Sequence, residues 1–409
     1  MKKRIQEAVQ RHLPGAGQFL CDLIRFPSIP GQEHEAMLFA AREFRKLGVQ
    51  VEEVPLSDAL LQDPDYSNPV PGIKYNGRFN LRVTRKGAGG GRRILFNAHM
   101  DVVPPSEGME NPWLPLVVNG ILRGRGACDD KGQVALVYLL FKVLEELSLP
   151  LAGDVVCHVV VEEENGGNGS LAMIRAGEKA DGCIVLEASE EKLFTSIRGA
   201  VWFRIVFSGK AGHSGQAGQT RSALLMARDA IALLETYHAE LLASSRGLPL
   251  FDPFPNPMPI TFGKLEAGNW PAAAPSCAVL EGVLGLLPNT TKEEVCEGMR
   301  RALAKGGQDF LNHIELSFMY RHDSSVIDPQ HPLPQAILGA ASEAGIPLEV
   351  SAMTASCDAW FYNNILRIPT VVYGAGTLKV AHSKDESIAL QEIANSAELL
   401  TTFVQNFCS

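Results

Sequence analysis

Several features that would place a protein quickly are missing from this sequence. None of its eight cysteines, at 21, 128, 157, 183, 277, 296, 357 and 408, forms a C-x-x-C pair, so there is no zinc ribbon or redox motif. The longest apolar run, Val134 to Phe141, is far too short to cross a bilayer. Positive charge is not in excess: 37 Lys and Arg face 46 Asp and Glu, a net charge of −9 that argues against nucleic acid or an anionic membrane as partner. The run Gly87-Ala88-Gly89-Gly90-Gly91 lacks the Lys-Ser/Thr ending of a phosphate loop and is expected to be a hairpin tip. Internal repeats are absent. Met1-Lys2-Lys3-Arg4 opens like a signal peptide, but Gln6, Glu7, Gln10, Arg11 and His12 follow where apolar residues belong. With cysteines that read as reduced thiols, the expected compartment is the cytoplasm.

At 409 residues the chain exceeds what one hydrophobic core usually supports, so two domains are expected. Strand signals at 80–83, 93–96, 155–161 and 184–186 alternate with helical periodicity at 36–47 and 133–147. That alternation predicts an α/β domain with a mostly parallel sheet covered on both faces. The pattern changes near residue 197. Strands at 201–207, 277–286 and 314–319 and helices at 222–243 and 291–304 predict a smaller α+β domain, with the Pro-rich stretch 254–259 as a surface excursion. The first pattern then returns, with a helix at 333–344, strands at 348–351 and 370–373, and a closing helix at 386–403. The expected organisation is a discontinuous metal-binding domain, 1–196 and 322–409, with 197–321 inserted.

Parallel sheets gather function at the carboxyl ends of their strands, and there the sequence places ionisable residues. His99 and Asp101 follow one strand, Glu162-Glu163-Glu164 another and Glu187 a third; Asp129 precedes a helix and His382 lies beyond the last strand. Packing anions together costs free energy unless cations neutralise them. His99, Asp129, Glu164, Glu187 and His382 are therefore the candidate metal ligands. Imidazoles and carboxylates without thiolate favour catalytic zinc, manganese or cobalt over structural zinc. Five ligands suit two metals sharing one carboxylate, about 3.5–4 Å apart. Asp101, two residues from His99 in an extended segment, is expected to accept the second ring N–H of that histidine. Glu163, opposite in orientation to Glu164 if the strand persists, is the expected general base, moving a proton from the attacking water to the leaving amine.

Each residue alone has a plainer reading. A histidine or aspartate after a strand is usually a cap or a surface group, and Glu162-Glu163-Glu164 alone would be a solvated turn. His213 is by default a loop histidine, Cys128 a wall residue, and His12, His34, His238 and His331 solvent-exposed. Five segments carrying suitable groups within one α/β pattern favour the metal site.

The motifs Ala98-His99-Met100-Asp101-Val102-Val103-Pro104, Gly124 through Gly132, Glu163-Glu164-Asn165-Gly166-Gly167, and Gly374-Ala375-Gly376 through Ala381-His382 resemble those of the M20 family of dinuclear metallohydrolases over nearly the whole length. The resemblance implies Asp129 as bridging ligand, His99 and Glu187 completing one metal, and Glu164 and His382 the other. It implies Glu163 as general base, Asp101 as the acid orienting histidine, and a cis peptide at Asp129-Asp130. It further implies a ferredoxin-like inserted domain that closes over the site and forms a homodimer, with His213 donating to the oxyanion in the partner's site.

One departure concerns specificity. Where many members carry an Arg after Asp358 to clamp a substrate carboxylate, this chain has Trp360 and Phe361. Either another basic residue such as Arg221 supplies the clamp, or the substrate has an apolar group there. Asn269-Trp270-Pro271 resembles the acetylornithine-deacetylase branch. The expected function is hydrolysis of a small N-acyl amino acid or amine with two divalent metals, zinc first and cobalt or manganese as alternatives. A dipeptidase or carboxypeptidase is the second reading and a non-catalytic binding protein the third.

Overall fold

The computed structural model describes residues 1–213, 215 and 218–409. Its main sheet has nine strands. At its centre Val155–Val160, Ile94–His99, Gly182–Val185 and Thr370–Val372 lie side by side and parallel. Antiparallel strands extend it: Phe79–Arg85 and Gln50–Pro55 on one side, Lys192–Ile197 and Ser325–Val326 on the other. The fold is thus mixed α/β with a largely parallel sheet. The strands Ile94–His99 and Val155–Val160 are buried along their whole length, which fits their near-continuous apolar sequences.

The helix Lys131–Leu147 carries the longest apolar run and packs against Ile94–His99, Leu390–Phe407 and Lys2–Ile24. The last of these, spanning 23 residues, was hidden by its charged opening and by Pro14. Among the described residues no helix is long and apolar enough to cross a membrane.

Residues between Gly199 and His322 form a second, antiparallel sheet in the order Ile260–Ala267, Cys277–Leu286, Gly199–Ser208, Ile314–His322. The helices Ala223–Ser244 and Lys292–Ala304 pack on it over a separate apolar core. Thr291 and Glu294 form a capping box at the start of the second helix.

Four local expectations need correction. The glycine run 87–91 is not a hairpin tip, because Val155–Val160 inserts between the two flanking strands; it is a crossover loop tied to Leu151 and Ala152. The closing helix starts at Leu390, not 386, because Ser387–Ala389 pairs with Ile121–Arg123 and Glu386 turns inward. The stretch 254–259 is not wholly superficial, since Met258 is fully buried with Phe251, Leu287 and Ala352. His331 is not simply solvated: its ring accepts the Leu333 N–H and caps the helix Pro332–Ala344.

Candidate metal centre

The carboxyl ends of the four central parallel strands converge on one pocket. Ile94–His99 delivers His99, Val155–Val160 leads to Glu163 and Glu164, Gly182–Val185 to Glu187, and Thr370–Val372 to the loop carrying His382. Asp129 stands just before the helix Lys131–Leu147, whose amino end favours negative charge. Asp129, Glu163, Glu164, Glu187 and His382 line a cavity of about 230 Å³ together with residues such as Met353, Ser356 and Leu378, and His99 is buried beside Asp129.

Ligand atoms of His99, Asp129 and Glu187 all lie within 4.8 Å of one another, as do those of Asp129, Glu164 and His382. Asp129 belongs to both groups. One of its oxygens is 3.1 Å from His99 Nε2 and the other 3.1 Å from His382 Nε2, which is also 2.9 Å from Glu164 Oε1. The five expected ligands are therefore brought together, in two trios hinged on one carboxylate.

Surrounding groups fix these side chains. The Asp130 carboxylate accepts the His99 main-chain N–H at 2.9 Å, and the Asp129-Asp130 peptide is cis. Glu386 accepts the N–H groups of Cys128 and Asp129, each at 3.2 Å, and pairs with the buried Arg125. Gln133 bonds both main-chain groups of Ala375, bracing the loop before His382, whose carbonyl accepts from Ser106 at 2.8 Å. Asp130, Glu386 and Gln133 escaped the sequence reading. Their task is to hold main chain, and no spacing announces that.

Two expectations about orientation change. Strand geometry ends at Val160, so Glu163 and Glu164 sit in a turn rather than on opposite faces of a strand. Glu162, at φ +60°, turns away from the pocket and is fully buried against Arg78 and the Tyr75 hydroxyl, not solvated. Asp101 behaves differently too. His99 Nδ1 lies 2.9 Å from the Asp101 carbonyl and 3.5 Å from its carboxylate, whose oxygens instead accept the N–H groups of Glu163 and Glu164.

The electrostatics fit divalent cations. Burial pushes Glu163 and Glu187 well up from the usual carboxylate range, and neighbouring carboxylates add to it. Burial lowers the His382 imidazole, but hydrogen bonds to Asp129 and Glu164 overcome that and raise it to about 11. Among the described residues no Lys or Arg lines the pocket. Three carboxylates and two imidazoles, with no such fixed cation in the described lining, form a donor set suited to metal ions with oxygen and nitrogen preferences.

The remaining sequence candidates lie elsewhere. His213 is exposed in the inserted unit, where its segment pairs with Ala273–Ala274, and it does not line the pocket. Cys128 is buried behind Asp129. Trp360 does not occupy a substrate position: it stacks on His322 at 4.2 Å and lies under the Lys292 ammonium. Arg221 is engaged with Asp309 at 2.8 Å.

The profile of "Peptidase family M20/M25/M40" matches residues 95–406. The chain belongs to this family. It is 26% identical over 355 residues to the N-formyl-4-amino-5-aminomethyl-2-methylpyrimidine deformylase of Bacillus subtilis (strain 168), covering 77% of this chain and 79% of that protein. An acetylornithine deacetylase of Edwardsiella ictaluri (strain 93-146) is also 26% identical, over 83% of this chain and 86% of its own. The fold matches that of the dipeptidase Dug1p of Saccharomyces cerevisiae with a TM-score of 0.83 at 14% identity, over 100% of this chain and 98% of that one. As an M20 hydrolase, the chain has its matched segment starting inside the first strand of the pocket and ending in the last helix.

Proposed function

We propose that this M20 hydrolase cleaves the amide of a small N-acyl amine or N-acyl amino acid, releasing a carboxylic acid and the amine. One observation carries the reading: two trios of metal-type donors share Asp129 beside the half-buried Glu163, which belongs to neither trio. His99, Asp129 and Glu187 would hold one divalent ion, and Asp129, Glu164 and His382 the other, with zinc the first choice and cobalt or manganese alternatives. Bound there, such ions supply Lewis acidity for the amide carbonyl and for water.

The chain's own residues do the rest. Glu163 takes a proton from the attacking water and returns it to the nitrogen as the C–N bond breaks, so its carboxylate ends as it began. Burial and neighbouring carboxylates raise its proton affinity, which suits a group that must hold a proton between those two moments. His99 and Asp129 are held by Asp101, Asp130 and Glu386, so little motion is needed during reaction. His213 is assigned to the partner's site in a homodimer formed through the inserted unit; its exposure and its absence from this chain's pocket support that assignment.

Among the described residues the pocket lining offers no guanidinium or ammonium for a free carboxylate, which disfavours carboxypeptidase action and puts N-acyl amines ahead of N-acyl amino acids. The substrate in the name of the Bacillus subtilis relative carries no carboxylate either. The test is a turnover panel with zinc, manganese or cobalt: N-formyl and N-acetyl amines, N-formyl, N-acetyl and N-succinyl amino acids, and unblocked dipeptides. Turnover of N-acyl compounds is expected. Release of amino acids from dipeptides alone would reassign the protein as a peptidase, and inertness towards every amide would end the reading.

A further inference from the structure

The main chain crosses from the main sheet into the inserted sheet between Ile197 and Gly199, and Arg198 is the residue between them. It is largely buried, and among the described residues no carboxylate lies within ion-pair distance of it. A buried guanidinium without a counter-charge is costly, and the bonds it makes indicate what keeps it there.

All of those bonds go to main chain on the two sides of the crossing. The Arg198 N–H donates to the Met353 carbonyl at 3.1 Å, Nε donates to the Thr354 carbonyl, and Nη1 reaches the Gly199 carbonyl at 3.4 Å. Met353 ends a strand that pairs in parallel with Lys192–Ile197, and Met353, Ala355 and Ser356 form one wall of the ligand pocket. The inserted unit closes round the guanidinium from the far side. A Cβ on Gly285 would stand 2.5 Å from Nη1, and Met258 packs beside it, clustered with Ala352 of the wall strand. A planar fork suits this place, where two carbonyls need donors at once and a lysine reaches one.

We propose that Arg198 is a positioning residue that ties the orientation of the inserted unit to the pocket wall Met353–Ser356. Movement at the crossing is thereby transmitted to the substrate-binding wall through the Thr354 carbonyl, without Arg198 touching substrate. A second contact runs the same way: the Tyr320 ring, near the end of the last inserted strand, lies where a Cβ on Gly166 would meet it at 3.0 Å, two residues from Glu164. For the reaction it serves, the proposal rests on the amidohydrolase reading; for the mechanics it does not.

Three variants test it: Arg198→Met, Arg198→Lys, and Gly285→Ala, which keeps the arginine but fills its slot. Hydrogen exchange of the peptide spanning 349–358 is measured with the steady-state kinetics of the best substrate and the content of bound zinc. Arg198→Met and Gly285→Ala are expected to speed exchange in that peptide and to lower kcat/KM about tenfold or more, since small misplacements of a substrate wall are costly. KM should carry most of the change, bound zinc should stay at the wild-type level, and Arg198→Lys should fall between. If no amide is turned over by the parent protein, the exchange measurement still decides the mechanical claim. Wild-type exchange and kinetics in Gly285→Ala and Arg198→Lys would overturn it. So would a loss of thermal stability with unchanged KM and kcat.

Discussion

The two carboxylate oxygens of Asp101 accept the main-chain N–H groups of Glu163 and Glu164, at 3.1 and 3.0 Å. One acid beside His99 thus sets the turn that presents both the proposed base and a proposed ligand. Asp101→Asn replaces one acceptor oxygen by an NH₂ group that faces an N–H, so one of the two bonds is lost. The expected outcome is a fall in kcat of about 10- to 100-fold, the range seen when groups supporting a metal ligand are removed. Bound metal should fall less, and elemental analysis beside the rate assay tells the two effects apart.

Glu163→Ala should separate chemistry from metal binding. Loss of a general base typically costs 10²–10⁴-fold in rate. Because Glu163 belongs to neither trio of donors, metal content should stay at the wild-type level. A variant that loses metal together with activity would move Glu163 from base to ligand.

Much of this centre was legible because the chemistry is carried by side chains whose types are unusual at strand ends. His99, Glu164, Glu187 and His382 each follow an apolar segment, and the structure brings them together around Asp129. What could not be read was main-chain support. In the sequence Glu386 reads as the start of a helix and Asp130 as the neighbour of a ligand, and nothing singles out Arg198. Each acts by binding peptide groups that are distant in sequence, and period and composition carry no trace of such contacts. Trp360 shows the converse: an aromatic at a functional-looking position was absorbed by packing on His322.

Acid stability should depend on a buried pair outside the pocket lining. The ring of buried His158 lies 3.0 Å from Glu178, which also pairs with Arg82 and Arg93. Burial opposes ionisation of Glu178, but the His158 hydrogen bond and charge and the Arg93 guanidinium hold it at about 2. Burial likewise lowers His158, against the pull of Glu178. A carboxylate depressed from about 4.5 to about 2 contributes stability above pH 4.5 that is lost as pH falls towards 2, on the order of 2 kcal/mol. A histidine depressed below 6.5 adds to the acid loss, because the unfolded chain binds the proton first. Glu178→Gln should therefore be less stable than the parent at pH 7, with the difference shrinking towards zero near pH 2. Urea denaturation at pH 7, 4 and 3 checks this, and a difference independent of pH would show that the charge is not the source.

The proposed dimer makes a prediction that no single variant can. If His213 serves the partner's site, a His213→Ala subunit keeps a complete donor set and base but gives its partner nothing, while a Glu163→Ala subunit has a dead site but still offers His213. Each homodimer should be nearly inactive with metal bound. Mixed and allowed to exchange subunits, they form hybrids in which the site of the His213→Ala subunit receives a histidine from its neighbour. Random exchange makes about half the dimers hybrids, each with one working site of two, so recovery should approach roughly a quarter of parent activity. The gain should follow the rate of subunit exchange and vanish when the mixture is diluted below the dimer dissociation constant. A His213 acting within its own subunit predicts no recovery at any mixing ratio, because every site would then lack either its base or its donor.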